Sequence, residues 1–139
     1  MALRTAPRTR NLSLTEEAPP PIEVVEYETT IKLFVEDSPS EWISCAVVYL
    51  YDRDRLSRDD FLGMDITDSY GEAHFRFDSS QFLDLDDRIG GTLPELFVKI
   101  FGRDDRLMLS TRAGAARNQV PMLLRVGVPR SLAKEHGLL

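Results

Sequence analysis

The 139-residue chain is poor in the residues that build most chemical centres: it has one cysteine, two histidines and one tryptophan. A single thiol, Cys45, excludes an intrachain disulfide and argues against a disulfide-built secreted scaffold. Two histidines and one cysteine argue against a zinc site of ordinary type. Thiol catalysis would need a base beside Cys45, and "WISCAVV" offers none. No apolar run nears the roughly 18 residues that cross a bilayer. The opening "MALRTAPRTRNLSLTEEAPPP" has arginines but no apolar h-region, so it does not read as a signal peptide, and a cytoplasmic location is the default expectation. Gly90-Gly91 is not followed by Lys-Ser/Thr and makes no phosphate loop.

Charge is abundant but divided. The chain carries a net −6, while Arg106 to Leu139 alone carries +5, which leaves −11 on everything before it. A general nucleic-acid binder concentrates positive charge on its folded body, and here the body is acidic. An acidic body with a basic end can attract a protein partner or fold the one onto the other.

Length and composition fit one domain with its own core. Residues 1–22 hold four prolines, three of them consecutive, and read as an extended or disordered arm. From Glu23 the pattern turns to strands. "EVVEYETTIKLFV" runs to a turn at "EDSPSE"; "WISCAVVYLY" follows as one nearly continuous apolar strand of the kind found at the centre of a sandwich. "FLGMDIT" is a short strand, "DSYG" a turn in which Gly71 takes positive φ, and "EAHFRFD" alternates with Ala73, Phe75 and Phe77 inward and His74 outward. A short turn or helix is expected from Ser79 to Leu83. Pro94 leads into "ELFVKIF", then come "RLMLS" and "VPMLLRVGV", where Pro121 favours an edge position. Short strands without an amphipathic helix of normal length predict an all-β sandwich over residues 23–128, followed by a tail at 129–139 with a short helix.

The segment "VVYLYDRDRLSRDDFLGMDITDSYGEAHFRF", continued by "LPELFVKIF", resembles the transthyretin-like (prealbumin-like) β-sandwiches. The residues that carry the likeness are Asp52, Asp54, Asp59, Asp60, Leu62, Thr67, Asp68, Gly71, Phe75, Phe77, Pro94, Leu96, Val98 and Ile100. The resemblance implies a sandwich of about seven strands, with Asp68, Gly71 and Pro94 as structural turn residues, and pairing of domains through edge strands. The hydroxyisourate hydrolases of that group end in a Tyr-Arg-Gly-Ser signature. This chain ends in "HGLL", so their activity is not carried over. The loop "YDRDRLSRDDFLG" is also similar to the third calcium loop of C2 domains, which would make Asp52, Asp54 and Asp60 calcium ligands in a calcium-dependent membrane or protein binder. Such a site needs complementary acids upstream, where Glu36 and Asp37 are the nearby ones.

Physical chemistry weighs against that loop as a metal site. Calcium takes six to eight oxygens, and Arg53, Arg55 and Arg58 already offset the local negative field. A paired-carboxylate hydrolase needs two acids facing one cleft, whereas the adjacent Asp59 and Asp60 diverge, as do Asp84, Asp86 and Asp87. Trp42 is placed at the core rim, Cys45 inward, and His136 in the tail. The reading is a non-catalytic binding or assembly module, homo-oligomeric or bound to another protein, acting through edge strands, acidic loops and the basic C-terminal segment. A small-molecule carrier or transthyretin-like enzyme is the further alternative.

Overall fold

The computed structural model describes residues 23–82, 93–115 and 119–139. The expected N-terminal arm and the loop holding Asp84, Asp86, Asp87, Gly90 and Gly91 lie outside the described residues. Within them the chain forms β1 (Glu26–Val35), β2 (Ser38–Trp42), β3 (Val47–Asp52), β4 (Asp60–Ile66), β5 (Glu72–Asp78), β6 (Leu96–Phe101), β7 (Leu107–Ser110), β8 (Leu123–Val128) and one short helix, α1 (Arg130–Glu135). Two four-stranded sheets result, as expected of an all-β sandwich.

In the first sheet β1 is the shared strand. Its early residues pair antiparallel with β5 (Glu26↔Asp78 to Lys32↔Glu72) and its end pairs with β2. Its other edge pairs in parallel with β8, from Thr30↔Leu123 to Val35↔Val128. The second sheet runs β4-β3-β6-β7, all antiparallel. Period-2 alternation sends Ile31, Leu33, Val35, Ala73, Phe75, Phe77, Val126 and Val128 inward from the first sheet. Val48, Leu50, Leu62, Leu96, Val98, Ile100 and Met108 meet them from the second. The predicted inward set of the "EAHFRFD" strand is the observed one, and β8 is an edge strand as Pro121 suggested.

Three local expectations are corrected. "WISCAVVYLY" is not one strand: β2 ends at Trp42, residues 43–46 cross from one sheet to the other, and β3 begins at Val47. At that crossing Cys45 takes φ 65° and its side chain is exposed, not inward. The reason is hydrogen bonding. The Cys45 N–H donates to Thr67 O at 2.8 Å and the Ala46 N–H to the Thr67 hydroxyl at 2.9 Å, which clamps a left-handed corner that periodicity cannot register. "EDSPSE" is a turn only at its start, since Ser38 onward is β2. In the tail, α1 follows β8, with Ala133, His136 and Leu138 buried. His136 Nδ1 sits 3.0 Å from Asp104 Oδ2, a pairing nothing in the tail's sequence announced.

Asp68 and Gly71 lie between β4 and β5. Asp68 Oδ1 accepts from the Tyr70 and Glu72 amides, and Pro94 is fully buried at the entry to β6. Gly71 takes φ 73°, and a Cβ there would stand 2.6 Å from Leu33 O, whose residue accepts no such crowding because its amide donates to Gly71 O. Gly71→Ala should therefore destabilise the protein by ~2 kcal/mol or more, read as a lower urea midpoint with an unchanged m-value. An unchanged midpoint would contradict this packing.

Candidate functional site

The acidic loop between β3 and β4 is a set of separately engaged carboxylates. Asp52 closes β3 with an inward side chain, only 9% exposed, and its Oδ1 accepts the Glu95 amide at 2.7 Å. Burial raises its pKa to about 7, the Glu95 amide opposing and the neighbouring Asp60, Glu95 and Asp54 charges adding to the rise. Asp54 turns outward and caps the loop, accepting from the Leu56 and Ser57 amides and the Ser57 hydroxyl. The backbone bond from Leu56 and the Ser57 hydroxyl hold its carboxyl below the usual range. Asp59 takes a forked pair of bonds from Arg112, Nε at 2.8 Å and NH2 at 2.9 Å, and accepts the Asp54 amide as well. Asp60 stands opposite Asp52 in the β3–β4 register. Among the described residues, the trio whose ligand atoms lie within 4.8 Å of one another is Asp68, Glu72 and His74, not Asp52, Asp54 and Asp60.

Described arginines of the basic C-terminal segment also contact the body. Arg112 binds Asp59, and Arg130 forks onto Asp37 at 2.9 Å and Glu41 at 2.8 Å. Arg125 lies 4.7 Å from the Phe34 ring centre. The charge division in the sequence thus becomes a set of internal contacts.

What remains unengaged is the outer face of the β4-β3-β6-β7 sheet. The outward positions of its two central strands are Val47, Tyr49 and Tyr51 on β3, and Phe97, Lys99 and Phe101 on β6. Register places Phe61, Met64 and Ile66 of β4 beside Tyr51, Tyr49 and Val47, and Leu107 of β7 beside Phe101. The rings contact one another: Tyr51 stacks on Phe97 at 5.2 Å and 11°, and Tyr49 lies 5.2 Å from Phe101 and 5.8 Å from Phe61. Phe97 is covered by this layer and by Arg112. Phe61, Met64, Ile66 and Leu107 are each a little more than half exposed. Burial lifts the Tyr51 hydroxyl pKa, with the Tyr49 and Asp59 neighbours adding to it.

The other sheet's outer face is polar by contrast. Glu28–Arg76, Lys32–Glu72 and Thr30–His74 are paired across β1 and β5, and His74 is exposed as expected. The sequence did carry a sign of the aromatic layer. Strands apolar at successive positions, as in "VVYLY" and "LFVKIF", are those covered on both faces, and the core covers only one. A cleft of about 340 Å³ also opens beside β7 and β8, lined by Leu96, Leu109, Leu124 and Val126. Residues 116–118, between its walls in sequence, lie outside the described residues.

No family model matches the chain, and no curated protein matches it. Among solved structures it is similar to a 9R-lipoxygenase from Cyanothece PCC8801, at 18% identity and a TM-score of 0.49. That match covers 74% of this chain and 16% of the lipoxygenase chain.

The buried Asp52 carboxyl makes a directional prediction. Its folded pKa of about 7 lies above the model-peptide value, so the folded state binds its proton more tightly than the unfolded state. Its contribution is favourable below the unfolded pKa and is lost as pH rises from about 4 through 7. Asp52→Asn keeps the acceptor for the Glu95 amide and removes the charge. It should stabilise the protein by about 1–3 kcal/mol at pH 8 and have little effect at pH 4.5. Urea unfolding at the two pH values measures this, and equal effects at both would refute it.

Proposed function

We propose that this chain is a non-catalytic β-sandwich assembly module that self-associates through the aromatic outer face of the β4-β3-β6-β7 sheet. The observation that carries the proposal is the continuous apolar layer of Tyr49, Tyr51, Phe61, Met64, Ile66, Phe101 and Leu107 over a sheet whose other face already forms the core. With four large side chains half exposed and the tyrosines between them, the layer presents on the order of 500 Å² of apolar surface, at the upper end of what a monomer leaves uncovered. A polar rim around it brings the face near the ~800 Å² per partner of a standard interface.

The charges beside the layer favour a second copy over a charged partner. Arg112 is held by Asp59, Arg53 and Arg55 share Glu95, and Lys99 lies over the Tyr51 ring, so these charges are engaged within the chain. The chain's net −6 opposes an anionic lipid surface or nucleic acid. A two-fold interface uses one patch twice, and a mainly apolar patch suits its own copy. The edge strand β7 and the acidic loop between β3 and β4 border this sheet and would contribute at its margin.

A second reading, calcium-dependent binding of C2 type through Asp52, Asp54 and Asp60, rests on their sequence pattern. A rise in melting temperature at millimolar Ca²⁺ that disappears in D54N/D60N supports it, and no rise removes it. In the acidic loop, Asp52 faces the core, and Asp54 and Asp59 are engaged by the loop and by Arg112.

For self-association, light scattering at tens of micromolar should give the mass of a dimer. F61E/I66E, both at exposed positions, should leave the fold intact and weaken the dimer at least 100-fold, about 2.8 kcal/mol. A monomeric wild type at those concentrations, or a double variant that stays dimeric, would rule the aromatic interface out.

A further inference from the structure

We propose that Asp68, Glu72 and His74 form a binding site for a divalent transition-metal ion of the Zn²⁺ class on the outer face of the sheet containing β1 and β5. The site is on the opposite sheet from the aromatic layer, so the two proposals stand or fall separately. His74 Nε2 lies 3.8 Å from Asp68 Oδ2 and 3.8 Å from Glu72 Oε1, and one donor atom from each residue lies within 4.8 Å of the others. Around a tetrahedral ion with bonds of about 2.0–2.1 Å, neighbouring donors stand roughly 3.4 Å apart. The two His74 distances exceed that spacing by about 0.4 Å, and the two carboxylates lie within 4.8 Å of each other, so side-chain shifts of up to about 1 Å would close the three onto one ion.

The three side chains are more than neighbouring acids, because each is also held by a bond to the atom that faces away from the cluster. His74 Nδ1 is 3.1 Å from the Thr30 hydroxyl, its cross-strand partner in the β1–β5 register. With Thr30 accepting from Nδ1–H, the Nε2 lone pair faces the two carboxylates. Glu72 Oε2 receives Lys32 Nζ at 3.3 Å, which leaves Oε1 toward His74. Asp68 Oδ1 accepts the Tyr70 and Glu72 amides, which leaves Oδ2 toward the same point. Outer partners that fix ring tautomer and carboxylate direction are the supporting shell that metal ligands use.

The donor set selects the ion. One imidazole with two carboxylates suits Zn²⁺, Co²⁺ or Ni²⁺, whereas Ca²⁺ would need six to eight oxygens. Two carboxylates balance the ion's charge, and Asp65, whose Oδ2 accepts the His74 amide at 2.8 Å, adds to the negative field. Lys32 is the cation facing Glu72, and Arg76 on the same face is engaged by Glu28. The exposure of Asp68 and His74 leaves at least one coordination position to water. The composition, poor in cysteine and histidine, argued against an ordinary zinc site; this trio draws on one histidine and two of the chain's many carboxylates. The bland alternative is an imidazolium paired with two carboxylates, and it binds no metal.

The site carries its own reporter. Lys32 Nζ lies 4.0 Å above the Trp42 ring centre, and Trp42, the chain's one tryptophan, also contacts Tyr70 in the same turn. Full-length protein titrated at pH 7 with ZnCl₂ by calorimetry should take up one ion per chain. Titration with CoCl₂ should give visible d–d bands and quench Trp42. H74Q and D68N should each weaken Zn²⁺ binding at least tenfold; D68N retains the side-chain oxygen that the turn amides need, and E72Q serves as a second variant if D68N lowers the melting temperature. C45S should bind as wild type does. No uptake at millimolar Zn²⁺, uptake unchanged in H74Q and E72Q, or uptake abolished in C45S would each overturn the site.

Discussion

Strand β1 bonds along both edges, and the arrangement of the domain follows from that. On one edge it takes β5 and β2, and on the other β8, which arrives last in the chain and runs parallel to it. A parallel pair cannot be closed by a tight turn, so it forces the C-terminal quarter of the sequence to return across the fold. That return brings a basic segment against an acidic body. Arg130 then reaches Asp37 and Glu41 beyond the end of β1, and the helix that carries it places Ala133 and Leu138 in the core. The last strand and helix are therefore structural parts of the sandwich.

A sandwich needs to bury one face of each sheet, and here the two outer faces differ in chemistry. The β1 side is finished with cross-strand pairs of opposite charge and a histidine held by a threonine, as expected of a face that meets water. The β3–β6 side is finished with rings that contact each other but remain partly open. Placing Lys99 over Tyr51 and Arg112 over Phe97 covers some of that surface with the stems of long side chains. The cover is incomplete, and the uncovered remainder is where the interaction reading has its basis.

The acidic loop shows how a chemical-looking sequence can be resolved by folding into unrelated duties. Asp52 is a strand end turned to the core, Asp54 a loop cap, and Asp59 the anchor for an arginine from beyond β7. Two residues apart on a strand gives two side chains a common direction only while the strand lasts, and β3 stops at Asp52. The carboxylates that do converge with a metal-type spacing come from a different turn, joined by cross-strand register to Thr30 and Lys32 of β1.

Local features were determined by the sequence itself. The alternation in "EAHFRFD" and the turn at Asp68 to Gly71 each depend on residues near one another in the chain. Side-chain period and backbone sterics act at that range, so the all-β class was legible. The corner at Cys45 was not, because Thr67, twenty-two residues on, supplies the bonds that impose its left-handed backbone. Nor were the burial of His136 on Asp104, the capture of Arg130, or the meeting of His74 with Glu72 and Asp68 on a face shared with Thr30. Those depend on register and on which strand β1 accepts at its second edge. Only the folded chain decides them, since hydrogen bonds between distant segments form only once packing has brought those segments together.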